Sequence, residues 1–212
     1  MNALADAGIY VFATLGTPGN SVGLSSLVRW DEDMLNQYTA VVDSLANFTN
    51  TLAFSIGALW LPVEETLVYV KAAIRDVKQH MRERGHRDIP LGWISLDGST
   101  DTESTYEYLT CGEDRPDFLA MSVPDTCEDV SYADDMTKQF SDSNIPVFGV
   151  ATGCSLIDKS NDTRSYEYLT KFYPDGVAPG LSGAFVMDYV DFQGSQAKPY
   201  GEYASTEPYL RS

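Results

Sequence analysis

Short apolar runs and helical stripes alternate along this chain. Residues 8–15 (Gly-Ile-Tyr-Val-Phe-Ala-Thr-Leu), 51–59, 89–96, 118–123, 145–151 and 183–190 are each short, apolar and rich in β-branched or aromatic side chains. Each reads as a buried strand. Between the first two, Met34, Tyr38, Val41, Leu45 and Phe48 recur every three or four positions, which predicts an amphipathic helix over 33–48. Val63, Leu67, Val70, Ile74, Val77 and Met81 mark the clearest helix, with Gly85 as its stop and Arg82 and Arg84 placed to suit the dipole of its last turn. A weaker helical segment is expected over 102–109, another around Tyr132, Met136 and Phe140, and a last one over 163–172. Such β-α alternation implies parallel strands covered by helices. The pattern yields six strands. A closed β/α barrel needs eight, and an open, doubly wound sheet fits the periodicity equally well.

The chain has 212 residues and a formal net charge of −17, from 31 acidic against 14 basic residues. That length suits one domain, and 43% hydrophobic content argues against disorder. The charge speaks against nucleic acid or an anionic membrane as partner; a neutral sugar polymer is compatible with it. No apolar run reaches transmembrane length. Residues 1–8 lack a basic n-region and a long apolar h-region, and residues 203–212 lack a hydrophobic anchor tail. Taken alone, these ends predict a soluble, cytosolic chain. No phosphate-cradling glycine motif and no CxxC occur, so no cofactor is expected. His80 and His86 fall at a basic helix end and are expected to be solvated, with no metal site.

The fifth strand, Pro146-Val-Phe-Gly-Val-Ala-Thr-Gly-Cys154, ends in the small, glycine-containing turn at which a β/α barrel places its chemistry. It resembles the nucleophile strand of the fungal β-1,3-glucanosyltransferases, the family-72 glycoside hydrolases, whose motif is Pro-Val-Phe-Phe-Ser-Glu-Tyr-Gly-Cys. The family's nucleophilic glutamate falls on Ala151. Ala5-Asp-Ala-Gly-Ile-Tyr-Val11, the segment from Tyr38 to Asn50, Val70-Lys-Ala-Ala-Ile-Arg-Asp76, Ile89-Pro-Leu-Gly92, Cys111-Gly112 and Asp117-Phe118 extend the resemblance over residues 1–201. A polar tail follows at 202–212. The resemblance implies a partial (β/α)8 barrel with about six of eight strands, lacking the first two, because the acid/base and nucleophile strands of the family, its fourth and seventh, are the second and fifth here.

At the acid/base strand the family reads Gly-Asn-Glu, and this chain reads Gly57-Ala58-Leu59. Both catalytic glutamates are thus replaced, by Leu59 and Ala151. A retaining glycosidase or transglycosylase needs two carboxyls about 5 Å apart, so the expectation is a chain without transferase or hydrolase activity. The alternatives are a non-catalytic β-glucan-binding protein, or a truncated, non-functional fragment. The family's Tyr-Glu-Trp-Cys is Pro124-Asp125-Thr126-Cys127 here, its Asn-Arg pair falls near Gly23-Leu24, and its Tyr-Glu-Tyr is Met187-Asp188-Tyr189. Asp125, Asp188 and Tyr189 are therefore the expected sugar-contacting residues, with Asp125 and Asp188 as a substitute catalytic pair in a rival reading. The resemblance also implies β-1,3-glucan as partner, an extracellular, cell-wall or lipid-anchored location, and a disulfide between Cys127 and Cys154. Cys111 is left without a partner. Asn47 and Asn161 open N-glycosylation sequons.

Overall fold

The computed structural model describes residues 1–17, 20–22, 29–57, 64–95, 102–122, 138–152, 157–158, 163–164 and 180–186. The chain divides into two compact units, 1–121 and 122–212.

The first unit opens with a short helix, α1 (Asn2–Asp6), that hydrophobic periodicity does not predict. Its stop is written in the sequence. Gly8 takes φ +74°, and the amides of Gly8 and Ile9 donate to the carbonyls of Ala5 and Leu4, a left-handed C-terminal cap. The first strand, β1 (Val11–Thr14), therefore begins three residues later than its apolar run. Helix α2 (Glu32–Leu45) starts at Asp31, whose carboxylate accepts from the Met34 amide at 3.1 Å, with Glu32 and Asp33 in the first turn. Its buried stripe is Met34, Tyr38, Thr39 and Val42. This corrects the expected face: Val41, Leu45 and Phe48 lie at its half-buried margin. Both rows obey helical spacing and share Met34 and Tyr38, the latter fully buried against the Trp30 ring at 5.2 Å; they part at Thr39 and Val42, which are buried in place of Val41 and Leu45.

Strand β2 (Thr51–Ile56) is followed by α3 (Glu64–Glu83), β3 (Leu91–Ser95), α4 (Thr102–Thr110) and β4 (Leu119–Ser122). β1, β2, β3 and β4 pair in that order, all parallel. Helix α3 buries Leu67, Val70, Ile74, Val77 and Met81 as its periodicity predicts, and packs on β2 and β3 with α2 and α4 beside it. It ends in a second left-handed cap, Gly85 at φ +67°, with the amides of Gly85 and His86 donating to the carbonyls of Arg82 and Met81.

Register separates the two faces of this sheet. Ala13, Phe54 and Leu91 align on one face, as do Ile56, Trp93 and Leu119; Thr14, Ser55 and Gly92 align on the other. The first face carries Phe54, Ile56, Leu91, Trp93 and Leu119, and the second mixes the small or hydroxylic Thr14, Ser55 and Gly92 with Phe12 and Ile94. On the second face the Ser55 and Thr14 hydroxyls lie 3.2 Å apart. The ring of Phe12, on β1, meets that of Phe118, next to β4, at 5.4 Å. Three strand spacings would hold them about 14 Å apart in a flat sheet. The sheet is therefore curled around this face, as in a barrel and unlike an open, doubly wound sheet. Gly92 permits the curl: a Cβ there would stand 2.4–2.5 Å from the Phe118 ring.

In the second unit β5 (Val147–Thr152) pairs in parallel with β8 (Gly183–Val186), and β6 (Ile157–Asp158) pairs antiparallel with β7 (Thr163–Arg164). The helix expected over 163–172 is corrected at its first two residues, which extend to pair with β6; the rest lies outside the described residues. Of the helix expected around Tyr132, Met136 and Phe140, only its end at residues 138–140 is described.

Two stability predictions arise here. The Tyr38 hydroxyl accepts from the Val22 amide at 3.2 Å in a buried setting. Tyr38→Phe strands that N–H, and urea denaturation is expected to show a loss of about 1–3 kcal/mol. Asp76 accepts from the Trp30 indole at 2.9 Å and from Arg75 at 2.7 Å. Partial burial alone would raise its pKa, but the Arg75 and Trp30 hydrogen bonds and the Arg75 charge outweigh it and hold the carboxyl below its ordinary value. A carboxyl with a depressed folded pKa stabilises the fold above its unfolded pKa of about 4, and that contribution fades as pH falls below it. Between pH 5 and pH 2.5, urea midpoints should therefore fall less steeply in Asp76→Asn than in the unaltered chain.

Candidate functional site

Parallel strands with helical crossovers place loops at the carboxyl ends of the strands, and there the catalytic positions must lie. Strand β2 stops at Ile56, and Gly57 turns the chain at φ +73°. A Cβ at Gly57 would meet the Trp93 indole nitrogen at 3.3 Å. The glycine is thus required by backbone and neighbour alike, and Gly57→Ala should cost about 1–2 kcal/mol in chemical denaturation. The strand expected over 51–59 is shortened for the same reason. Leu59, two residues beyond the turn, lies outside the described residues.

Ala151 is the fifth residue of β5. Gly149 is in register with Ala184 and Thr152 with Val186, so Val150 and Ala151 together stand against Phe185 alone. This is a β-bulge, a device that re-aims side chains and recurs next to active sites. Sequence reading missed it; Gly149 in the middle of an apolar run is the signal that marks it.

Asp125, Cys127, Cys154, Asn161, Asp188 and Tyr189 lie outside the described residues. Asn47 is exposed in the turn after α2, a position open to modification. Cys111 is exposed and free, its sulfur 3.0 Å from the Lys71 amine, which also donates to the Cys111 carbonyl at 2.6 Å.

The expectation of two solvated histidines is corrected. The side chains of His80 and His86 are only 25% and 10% exposed, and their Nε2 atoms lie 2.9 and 2.7 Å from the same oxygen, Oδ1 of Asp43. Arg84 reaches Oδ2 of that carboxylate at 3.3 Å. Partial burial would raise the Asp43 pKa, but the hydrogen bonds from His86 and His80 and the charges of His80 and Arg84 prevail and hold it at about 2. The pairing was hidden because Asp43 lies on a different helix, 37 positions before His80. Beside it is a cavity of about 420 Å³ lined by Lys78, Met81, Arg82, His86, Arg87 and Asp117 among others. Cavity and cluster sit where α2 and α3 end and β2 and β3 begin, at the opposite end of the strands from Gly57.

Comparison with known proteins gives the family and the fold. The sequence model of the glucanosyltransferase family matches residues 1–201. The 1,3-beta-glucanosyltransferase gel1 of Aspergillus fumigatus is 32% identical over 211 residues, which are 95% of this chain and 45% of that protein. The 1,3-beta-glucanosyltransferase gas1 of Schizosaccharomyces pombe is 30% identical over 200 residues, 90% of this chain and 36% of its own length. Among solved structures, a mutant Gas2p of Saccharomyces cerevisiae in complex with laminaritetraose and laminaripentaose aligns with a TM-score of 0.81 at 26% identity, covering 94% of this chain and 45% of that one. The chain thus spans less than half the length of these relatives. Its parallel strands, curled sheet and structural match together make the fold a partial β/α barrel. The chain belongs to the glucanosyltransferase family.

Proposed function

We propose that this chain is a member of the glucanosyltransferase family that does not transfer glucan. The observation that carries the reading is the pair of residues at the two catalytic positions, Leu59 and Ala151, where the family resemblance places glutamates. The reaction implied by that resemblance cuts a β-1,3-glucan chain and passes the cut end to another chain through a glycosyl-enzyme intermediate. One carboxylate must attack the anomeric carbon, and the other must protonate the leaving oxygen and then deprotonate the acceptor. An aliphatic side chain offers neither a lone pair nor a proton. The surrounding frame supports a lapsed site rather than an unrelated one: Gly57, which matches the glycine of the family's Gly-Asn-Glu, turns left-handed at the carboxyl end of β2, and Ala151 stands in a bulge near the end of β5.

In this reading β-1,3-glucan remains the natural ligand class, with Asp125, Asp188 and Tyr189 as the residues that would contact it. The cell surface or cell wall is the compartment, the Cys127–Cys154 disulfide forms there, and Asn47 and Asn161 carry glycans. Among the described residues, no helix is long and apolar enough to cross a membrane.

Reversion tests the reading. Leu59→Glu and Ala151→Glu together, in a chain extended at its amino end by the first two barrel strands of a relative, are expected to generate longer and shorter products from laminarioligosaccharides. Either reversion alone should produce none above background, because each glutamate depends on the other. Turnover by the extended chain with Leu59 and Ala151 unchanged would overturn the reading.

A further inference from the structure

We propose that Asp43, His80 and His86 form a binding site for a divalent cation of the zinc class, at the end of the strands opposite the catalytic positions. The ligands come from three places that the fold brings together. Asp43 is in the last turns of α2, His80 in the last turn of α3, and His86 immediately after the left-handed cap at Gly85. The cap hydrogen bond from the His86 amide to the Met81 carbonyl, 3.0 Å, folds the chain back so that the second imidazole lies beside the first. One ligand atom from each residue lies within 4.8 Å of the others.

Two imidazole nitrogens and one carboxylate oxygen are a set that zinc accepts readily, with water completing a tetrahedron. Without a cation, the two rings converge on Asp43 Oδ1 by donating N–H. On binding, each ring gives up its Nε2 proton, to solvent or by tautomerisation to its own Nδ1, and the freed Nε2 lone pairs turn to the metal. Ligand atoms about 2.0–2.1 Å from a tetrahedral ion are about 3.3 Å apart. The present 2.7 and 2.9 Å separations therefore need to open by about half an ångström, and the ligand nitrogens of the two rings, which lie within 4.8 Å of each other, to close by up to about 1.5 Å, within the reach of side-chain adjustment. Arg84 on Oδ2 fixes the carboxylate and leaves Oδ1 as the ligand, the supporting contact a metal-bound carboxylate normally has. The cavity beside His86 gives the ion a route from solvent. A bound ion would tie the end of α2 to the end of α3 and to the approach to β3.

The chain contains only two histidines, which makes the test direct. Zinc chloride is titrated into the chelator-stripped full chain while the imidazole nitrogens are followed by NMR. Both Nε2 signals are expected to move together and to saturate at one zinc per chain, and Tm is expected to rise by about 5 °C at saturating zinc. His80→Gln and His86→Gln retain an N–H for Asp43 but are poor ligands. Each should lower zinc affinity at least 10-fold with the circular dichroism spectrum unchanged, whereas Cys111→Ser should bind as before. Imidazole signals that stay in place as zinc is added would overturn the proposal, as would binding that survives in both glutamine variants or disappears with Cys111. If a glutamine variant fails to fold, the two imidazole signals of the unaltered chain decide the matter alone.

Discussion

Gly92→Val is expected to lower Tm by about 6–12 °C, the shift that an overpacking cost of about 3 kcal/mol produces in a chain of this size. The cause is one contact. Three atoms of the Phe118 ring lie 2.4–2.5 Å from where the first new carbon would stand. Phe118 is 3% exposed and its ring also meets that of Phe12 at 5.4 Å, so moving it aside disturbs a second buried contact. Valine adds two methyl groups beyond that carbon. If the contact is the cause, Gly92→Val combined with Phe118→Ala should be less destabilised than the sum of the two single changes, a coupling that only neighbours show. Gly92→Val with an unchanged melt would mean that Phe118 does not lie across Gly92, and the curl of the sheet would lose its main support.

The second large effect is expected at Phe54, which is fully buried in β2 and aligned between Ala13 and Leu91. Phe54→Ala removes an aromatic side chain from a site that β1 and β3 prevent from collapsing. The cost should be about 3–5 kcal/mol, a large share of the 5–15 kcal/mol by which domains are ordinarily stable. Leu52 serves as the control. It is on the same strand, two residues away, and 47% exposed. Leu52→Ala should change stability by no more than about 0.5 kcal/mol. Urea denaturation of the two variants side by side separates burial from strand propensity, since both substitutions put alanine into β2.

The elements were legible to the extent that one face of each is apolar. α3 has a stripe that only one orientation buries, so its inward residues could be read directly. α2 has two adjoining rows of helical spacing that share Met34 and Tyr38, and periodicity alone does not tell whether Val41 and Leu45 or Thr39 and Val42 complete the buried face. α1 is invisible to periodicity because it buries none of its residues, although Gly8 records where it ends. Periodicity left barrel and open sheet equal, because curvature is a property of residues far apart in the chain. It is expressed in Phe12 meeting Phe118, with Gly92 making room. The proposed catalytic positions, Leu59 and Ala151, rest on family resemblance alone, because leucine and alanine carry no chemical signal of their own. The Asp43 cluster had no signal at all, since its members meet only after two helices have packed.

The central claim is that Leu59 and Ala151 leave this barrel without glucan transfer. Its most direct test is incubation of the unaltered chain with a single laminarioligosaccharide, with products separated by size and weighed by mass spectrometry. The account predicts that the starting sugar remains the only species, even at enzyme-level excess and long times. A ladder of longer sugars, with the matching short leaving fragments, would contradict it.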